Sequence, residues 1–218
     1  MAVLMKIGVV IASIGGASAV GVAAVGGYHY LSHKENSVSI RSSLKDFKLI
    51  STLTGEALTK QWVAEFKSAT NDIKEKIEEL KNVTDEAEGG RKLASWCSKQ
   101  MDLDSRKYPE TFELVKKYCL VRDLSSQLKR NNKSVLDRKQ DSDWKDVFQK
   151  RKTQKSTRSD VGIKDATWPT GNEKDDVDLL MIQTWCENTE KEEFLASDNN
   201  SKYDKLLKWC TADGKTLE

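Results

Sequence analysis

The placement of the four cysteines constrains this chain more than any other feature, because each one directly follows an aromatic residue. The interval from Cys97 to Cys119 is nearly the same as the interval from Cys186 to Cys210. The aromatic–cysteine pairs therefore form two sets of similar spacing: Trp96-Cys97 with Tyr118-Cys119, and Trp185-Cys186 with Trp209-Cys210. A structural unit that occurs twice in the chain would produce this pattern.

A second landmark supports the duplication. A W-x-x-x-F motif precedes each set of cysteines and places both of its rings on one face of a helix. The four residues are Trp62 and Phe66 in the first half, and Trp144 and Phe148 in the second. The offset between the two motifs is close to the offset between the corresponding cysteines. The shared order predicts two similar helical units, residues 44–130 and 131–218.

Residues that break helices are rare after the N-terminal region. The chain has two prolines, and six of its twelve glycines lie between residues 8 and 27. We therefore predict a mainly α-helical fold. Apolar residues at three-to-four spacing predict one helix over about 57–87, ended by Gly89-Gly90. Another helix is predicted to open at Pro109 and to continue through Leu128.

The second half has similar signals. A helix is predicted to start at Trp144, and the polar stretch 150–160 is predicted to be an exposed loop. Thr170 and Glu173 have the spacing of a capping box for the helix that follows. That helix carries the apolar residues Val177, Leu180, Met181 and Trp185.

The N-terminal region contains a candidate membrane segment. Residues 7–27 carry no charge, and this run is long enough to cross a bilayer as a helix. We predict a single retained anchor, followed by a polar juxtamembrane stretch at 28–43. The alternative is a cleaved signal peptide, because Ala17-Ser18-Ala19 resembles a cleavage site. The apolar run continues past that site to Val25, which favours retention.

The orientation of this anchor is only weakly encoded. Lys6 precedes the segment and His29, His33 and Lys34 follow it, so the flanking charges are nearly balanced. A short tail before a signal-like segment normally leaves the long C-terminal part outside the cell. We therefore expect a single-pass cell-membrane protein with an extracellular C-terminal region.

An extracellular location would permit disulfide bonds. Four cysteines allow three pairings, and the repeat favours Cys97 with Cys119 and Cys186 with Cys210. A bridge closing a loop of this size would contribute about 3 kcal/mol, and the neighbouring ring would shield it from solvent. Buried free thiols are the alternative if the chain faces a reducing cytosol.

The sequence predicts no catalytic residue, cofactor site or metal site. There is no close C-x-x-C knuckle, and the two histidines, His29 and His33, lie at the expected membrane edge. The nucleophile-elbow, P-loop and H-E-x-x-H motifs are missing. A net charge of +2, from 36 basic and 34 acidic residues, disfavours a nucleic-acid partner. No small-molecule ligand is indicated.

These motifs together resemble a known group of proteins. A Gly/Ala-rich N-terminal segment, W-x-x-x-F and the stretches LASWC, LLMIQTWC and LLKWC resemble paralogous families of uncharacterised membrane-attached proteins of haemotropic mycoplasmas. The resemblance covers nearly the whole chain, but Tyr118-Cys119 departs from the Trp-Cys pattern. It implies a surface-exposed protein of a variable, multicopy set, with roles in immune evasion or red-cell attachment.

We therefore expect a non-catalytic, membrane-anchored surface protein that acts in host-cell interaction or antigenic variation. The alternative is a structural or assembly protein of the cell envelope that gathers partners in the membrane. An enzyme is the least favoured interpretation of these motifs.

Overall fold

Residues 37–164 and 167–218 are described by a computed structural model, in which the segment Val38–Glu218 forms one compact unit. The predicted anchor at 7–27 and residues 28–36 of the predicted juxtamembrane stretch lie outside the described residues. Within the described part of the chain, no helix combines the length and the hydrophobicity that a membrane crossing requires.

The described residues form nine α-helices and no β-strand, which confirms the mainly helical prediction. The helices are α1 (Ile40–Ser43), α2 (Gly55–Ser68), α3 (Thr70–Lys76), α4 (Glu86–Gln100), α5 (Pro109–Tyr118), α6 (Leu124–Arg130), α7 (Asp141–Thr153), α8 (Asp175–Thr189) and α9 (Ser201–Cys210). Short 3-10 segments lie between or after them: Ile50–Thr52, Glu78–Leu80, Arg158–Val161, Ala196–Asp198 and Ala212–Lys215.

Side-chain caps explain where several helices begin. The Asp85 carboxylate accepts a hydrogen bond from the Glu88 amide at 2.7 Å, which starts α4. Asp123 accepts from the Ser126 amide at 2.6 Å, which starts α6. Each cap satisfies an amide that the first turn leaves without a partner. Pro109 occupies the first turn of α5, as its position predicts.

The long helix predicted over 57–87 is wrong, because the chain turns at Ala69. Ala69 has φ −142° and ψ 27°, outside the helical region, and it separates α2 from α3. The hydroxyls of the neighbouring residues bond back to helix carbonyls: Thr70 to Phe66 at 2.9 Å and Ser68 to Glu65 at 2.9 Å. Hydroxyls placed in this way compete with the continuing helix.

The predicted helix end at Gly89-Gly90 is also wrong, because both glycines lie inside α4. A Cβ atom at Gly89 would lie 2.3 Å from the Phe66 ring, and one at Gly90 would lie 2.8 Å from the Val63 backbone nitrogen. The two glycines are therefore needed for α4 to pack closely against α2, not to terminate a helix.

The second half differs from prediction at two places. Arg151 and Arg158, in the stretch predicted to be an exposed loop, are both buried. Arg151 lies within α7 and donates to the Gly214 carbonyl at 2.8 Å, so it holds the C-terminal segment. The capping box of Thr170 and Glu173 does not form, since α8 starts later, at Asp175.

A lysine holds the loop before α8 in place of that capping box. The Lys152 ammonium donates to the Gly171 carbonyl at 2.8 Å, to the Asn172 side chain at 2.9 Å and to Asp175 at 2.7 Å. The start of α8 is therefore set by a long-range tertiary contact.

Buried apolar side chains fall into two clusters that follow the chain order. The first runs from Ile40 to Cys119 and includes Trp62 and Phe66 of the first motif. The second runs from Leu124 to Cys210 and includes Trp144 and Phe148 of the second motif. Leu124 and Leu128, predicted to extend the helix before them, belong to the separate helix α6 and to the second cluster.

We predict that Gly90→Ala destabilises the protein by about 1–3 kcal/mol, because the added methyl group meets the backbone of α2. Urea unfolding with the disulfides intact would measure the change. Ser95→Ala, on the exposed face of the same helix, is the matched control and should be neutral or slightly stabilising. Equal behaviour of the two variants would contradict the close packing of α2 and α4.

Candidate interaction surface

The two disulfides join consecutive helices. Cys97 of α4 is bonded to Cys119 at the end of α5, with 5.9 Å between their Cα atoms. Cys186 of α8 is bonded to Cys210 of α9, with a Cα separation of 5.7 Å. All four cysteines lie in the described residues, and none is free. These are the pairs that the repeat favoured, so the alternative of buried free thiols is wrong for this structure.

The aromatic neighbours of the cysteines have different environments. Trp96, Tyr118 and Trp209 are buried, whereas Trp185 is only partly buried. Trp209 stacks on Trp168, with ring centres 6.3 Å apart. The ring that shares a cavity of 170 Å³ with Cys97 and Cys119 is Trp62, from the W-x-x-x-F motif. The aromatic residues therefore contribute to the cores in different ways.

Free thiols and metal-binding clusters are missing from the described residues. Every cysteine is in a disulfide, so no thiol is available as a nucleophile. Residues 37–164 and 167–218 contain no group of three His, Cys, Asp or Glu side chains placed to hold a metal ion. The two histidines lie outside the described residues.

A buried cluster of charges lies between the two cores. The Glu65 side chain on α2 is fully buried and contacts the guanidinium groups of Arg122 and Arg130, the latter at 2.6 Å. Arg122 also donates to Gln127 at 2.6 Å, and Arg130 donates to Ser68 at 2.9 Å. Burial lowers the pKa of both arginines, and for Arg122 the nearby Arg130 charge lowers it further. The Glu65 carboxylate supplies the compensating charge.

The same junction contains a second buried polar contact. The Gln61 side chain, also on α2, donates to the Phe194 carbonyl at 3.1 Å and accepts from the Ala196 amide at 2.9 Å. The Arg122 guanidinium lies over the Phe194 ring at 5.8 Å. Sequence reasoning missed this cluster. The available signal was a pair of polar residues, Gln61 and Glu65, beside Trp62 and Phe66 on an otherwise apolar helix face.

A tyrosine–carboxylate contact adjoins this cluster. The Tyr118 hydroxyl donates to Asp72, which the Lys117 ammonium also contacts. Burial and then the hydrogen bond to Asp72 raise the pKa of Tyr118 above its ordinary range. The hydrogen bonds from Lys117 and Tyr118 lower the pKa of Asp72.

Helix α8 presents an apolar stripe to solvent. Val177 is 60% exposed, Leu180 52% and Met181 41%. Their positions, i, i+3 and i+4, place them on one side of the helix. The opposite side is buried and carries Asp178, Ile182, Gln183, Cys186 and Thr189. We call Val177, Leu180 and Met181 the α8 stripe.

A shallow groove of 390 Å³ runs beside the α8 stripe. It is lined by Leu180, Met181, Thr184, Trp185 and Asn188 of α8 and by Val161 and Gly162. Gly162 adopts φ +78° and lies against the Trp185 indole. A Cβ atom added at Gly162 would lie 3.6 Å from that ring. The partly buried Trp185 is therefore a wall of this groove.

Two ion pairs lie next to residues that line the groove. Arg138 contacts Glu187 through two nitrogen atoms. On another side, Lys205 pairs with Asp160 at 2.9 Å. The apolar lining of the groove favours an uncharged apolar ligand group over an ion.

Comparisons with protein-family models, curated proteins and solved structures gave no match. The function must therefore be inferred from the residues and their geometry.

We predict that Glu65→Gln lowers the free energy of unfolding by about 3–5 kcal/mol, because it leaves two buried arginines without an opposite charge. The matched control is Glu86→Gln, which breaks the exposed ion pair with Lys67 and should cost less than about 1 kcal/mol. Chemical denaturation of both variants would measure the difference. Equal losses would show that the buried cluster does not stabilise the fold.

We predict that Tyr118 ionises above the ordinary tyrosine pKa in the folded protein, because burial and its hydrogen bond to Asp72 raise its pKa. A pKa raised by folding stabilises the protein below the ordinary tyrosine pKa of about 10, and this stability is lost as pH rises through the folded value. Ultraviolet titration of the phenolate should show one late-ionising group that is missing in Tyr118→Phe. A late group that persists in this variant would assign the shift to another tyrosine.

Proposed function

We propose that this protein is anchored in the cell membrane by residues 7–27 and displays its helical region outside the cell as a non-catalytic interaction module. The observation that carries the proposal is the α8 stripe with its groove. Helix α8 keeps three large apolar side chains exposed to water, although two disulfides constrain the fold around it. Exposed apolar side chains of this kind are typical of a protein–protein contact site.

The disulfides support the extracellular placement. Both close helix pairs in the compact region, and such bonds persist in oxidising surroundings and are rare in the cytosol. The uncharged segment at 7–27 would supply the attachment. The resemblance to membrane-attached families of haemotropic mycoplasmas points in the same direction.

The proposal includes an internal duplication, with units at 44–130 and 131–218. Each half contributes one W-x-x-x-F motif to a core cluster and one disulfide between consecutive helices. The exposed stripe belongs to the second half alone. A duplicated scaffold in which only one copy carries a contact surface is consistent with divergence of the two copies.

We propose that the occupant of the groove is an uncharged apolar segment of a protein on the host cell. The apolar lining of the groove favours such a segment over a charged peptide, and the i, i+3, i+4 spacing of the stripe suits packing against a helix or extended chain. On the family resemblance, the first cell to test is the red blood cell.

Protease treatment of intact cells tests the placement. We expect the helical region to be digested without permeabilising the cells, whereas a cytosolic marker stays intact. Protection that ends only when detergent is added would place this region inside and favour the alternative of an envelope assembly protein.

Binding of the full chain, inserted in nanodiscs, to intact red cells tests the contact surface. The triple variant Val177→Ser, Leu180→Ser, Met181→Ser should lose binding by about tenfold or more, since each buried apolar side chain contributes roughly 1.5–3 kcal/mol. Its circular dichroism should match that of the parent, because these side chains are exposed. Lys139→Ser, at an exposed site outside the stripe, is the control. No binding by the parent protein would rule out red-cell attachment.

A further inference from the structure

The large apolar side chains that are exposed form two groups in the described part of the chain. One group is the α8 stripe, and the other consists of Val38, Phe47 and Tyr108. Phe47 is 55% exposed and Tyr108 49%. The second group lies on the segments 38–48 and 101–108, which contribute Ile40, Leu44 and Met101 to the first core cluster. It is therefore distinct from the α8 stripe, which belongs to the second half.

These two segments are hydrogen-bonded to each other, close in sequence to the start of the described residues. The Ser105 amide donates to the Val38 carbonyl at 2.9 Å, and the Ile40 amide donates to the Leu103 carbonyl at 2.8 Å. The hydroxyls of Ser43 and Ser105 are 2.9 Å apart. We call the paired segments 38–48 and 101–108 the Phe47 end.

The Phe47 end combines its apolar side chains with basic ones. Its two segments contain five basic and three acidic residues. Lys45 is exposed two residues before Phe47. Arg41 is exposed with a 3.7 Å contact to Asp102, and Lys48 pairs with Glu193 at 2.5 Å.

Chain length limits how far the Phe47 end can lie from the proposed anchor. Only the short stretch 28–37 connects the uncharged segment to Val38. Even when fully extended, a stretch of that length reaches only about 35 Å. If residues 7–27 span the membrane, the Phe47 end is held within that distance of the bilayer surface.

We propose that the Phe47 end binds the surface of the bilayer, with anionic lipid headgroups as its partner. The inference rests on the proposed anchor. Aromatic rings are suited to the headgroup region, and lysine and arginine are attracted to anionic lipids. Phe47 and Tyr108 enter the interface, while Lys45 and Arg41 face the lipid phosphates. This contact orients the helical body relative to the membrane.

Hydrogen exchange of the full chain in nanodiscs tests this contact. Amides of the Phe47 end should exchange about fivefold more slowly in discs of phosphatidylcholine with phosphatidylglycerol than in phosphatidylcholine alone, the effect expected for one basic side chain near an anionic surface. Amides of α8 serve as the internal reference and should exchange equally in both. Equal exchange at the Phe47 end in the two lipids would overturn the proposal.

Two variants make the test specific. The combination Phe47→Ser, Tyr108→Ser should remove the lipid-dependent protection, and serine at 108 is a favourable residue at the N-cap of α5. Val177→Ser, Leu180→Ser should keep the protection. Protection that survives the first combination, or that depends on protein concentration instead of lipid charge, would contradict binding of the bilayer by this end.

A second experiment distinguishes failure of this proposal from failure of the proposed anchor. Extraction by alkaline carbonate tests the anchor alone, and a chain released from membranes would contradict residues 7–27 as a span. A chain that resists extraction but shows equal exchange at the Phe47 end in the two lipids would contradict lipid binding by that end and leave the anchor unaffected.

Discussion

Each disulfide links a pair of consecutive helices, and the rest of the fold is arranged around these two linked pairs. The Cys97–Cys119 bridge holds the end of α5 against α4, and the Cys186–Cys210 bridge holds α9 against α8. By the loop-entropy argument each bridge contributes about 3 kcal/mol. A chain with short helices and two modest cores depends strongly on such covalent constraints.

The bridges act within each core, whereas buried polar contacts join the cores. Gln61 and Glu65 project from α2, a helix of the first core, toward Arg122, Arg130 and the backbone near Phe194. Such contacts are directional, so they specify one arrangement more narrowly than apolar packing does. Ala64 of the same helix also packs against the second cluster. Helix α2 is therefore the element shared by both halves.

The exposed apolar side chains lie on backbone whose position is fixed within the fold. The α8 stripe and the Phe47 end are carried by backbone that is already fixed, by a disulfide in one case and by paired backbone hydrogen bonds in the other. Under the proposed function, the two surfaces would serve a protein partner and a lipid surface respectively.

The sequence by itself determined the helical class, the cysteine pairs and the placement of the W-x-x-x-F rings on one face of a helix, because these follow from composition and from short, regular spacings. It could not locate the break at Ala69 or the role of Gly89-Gly90, which depend on how α2 meets α3 and α4. It also could not find Glu65, because its partners Arg122 and Arg130 lie far along the chain, beyond α5. Helix α8 carries large apolar residues on its exposed side and Asp178, Gln183 and Thr189 on its buried side, so periodicity alone could not choose which side faces water. The tertiary structure decided this, because the bond from Cys186 to Cys210 turns one side of α8 into the core and leaves Val177, Leu180 and Met181 outside.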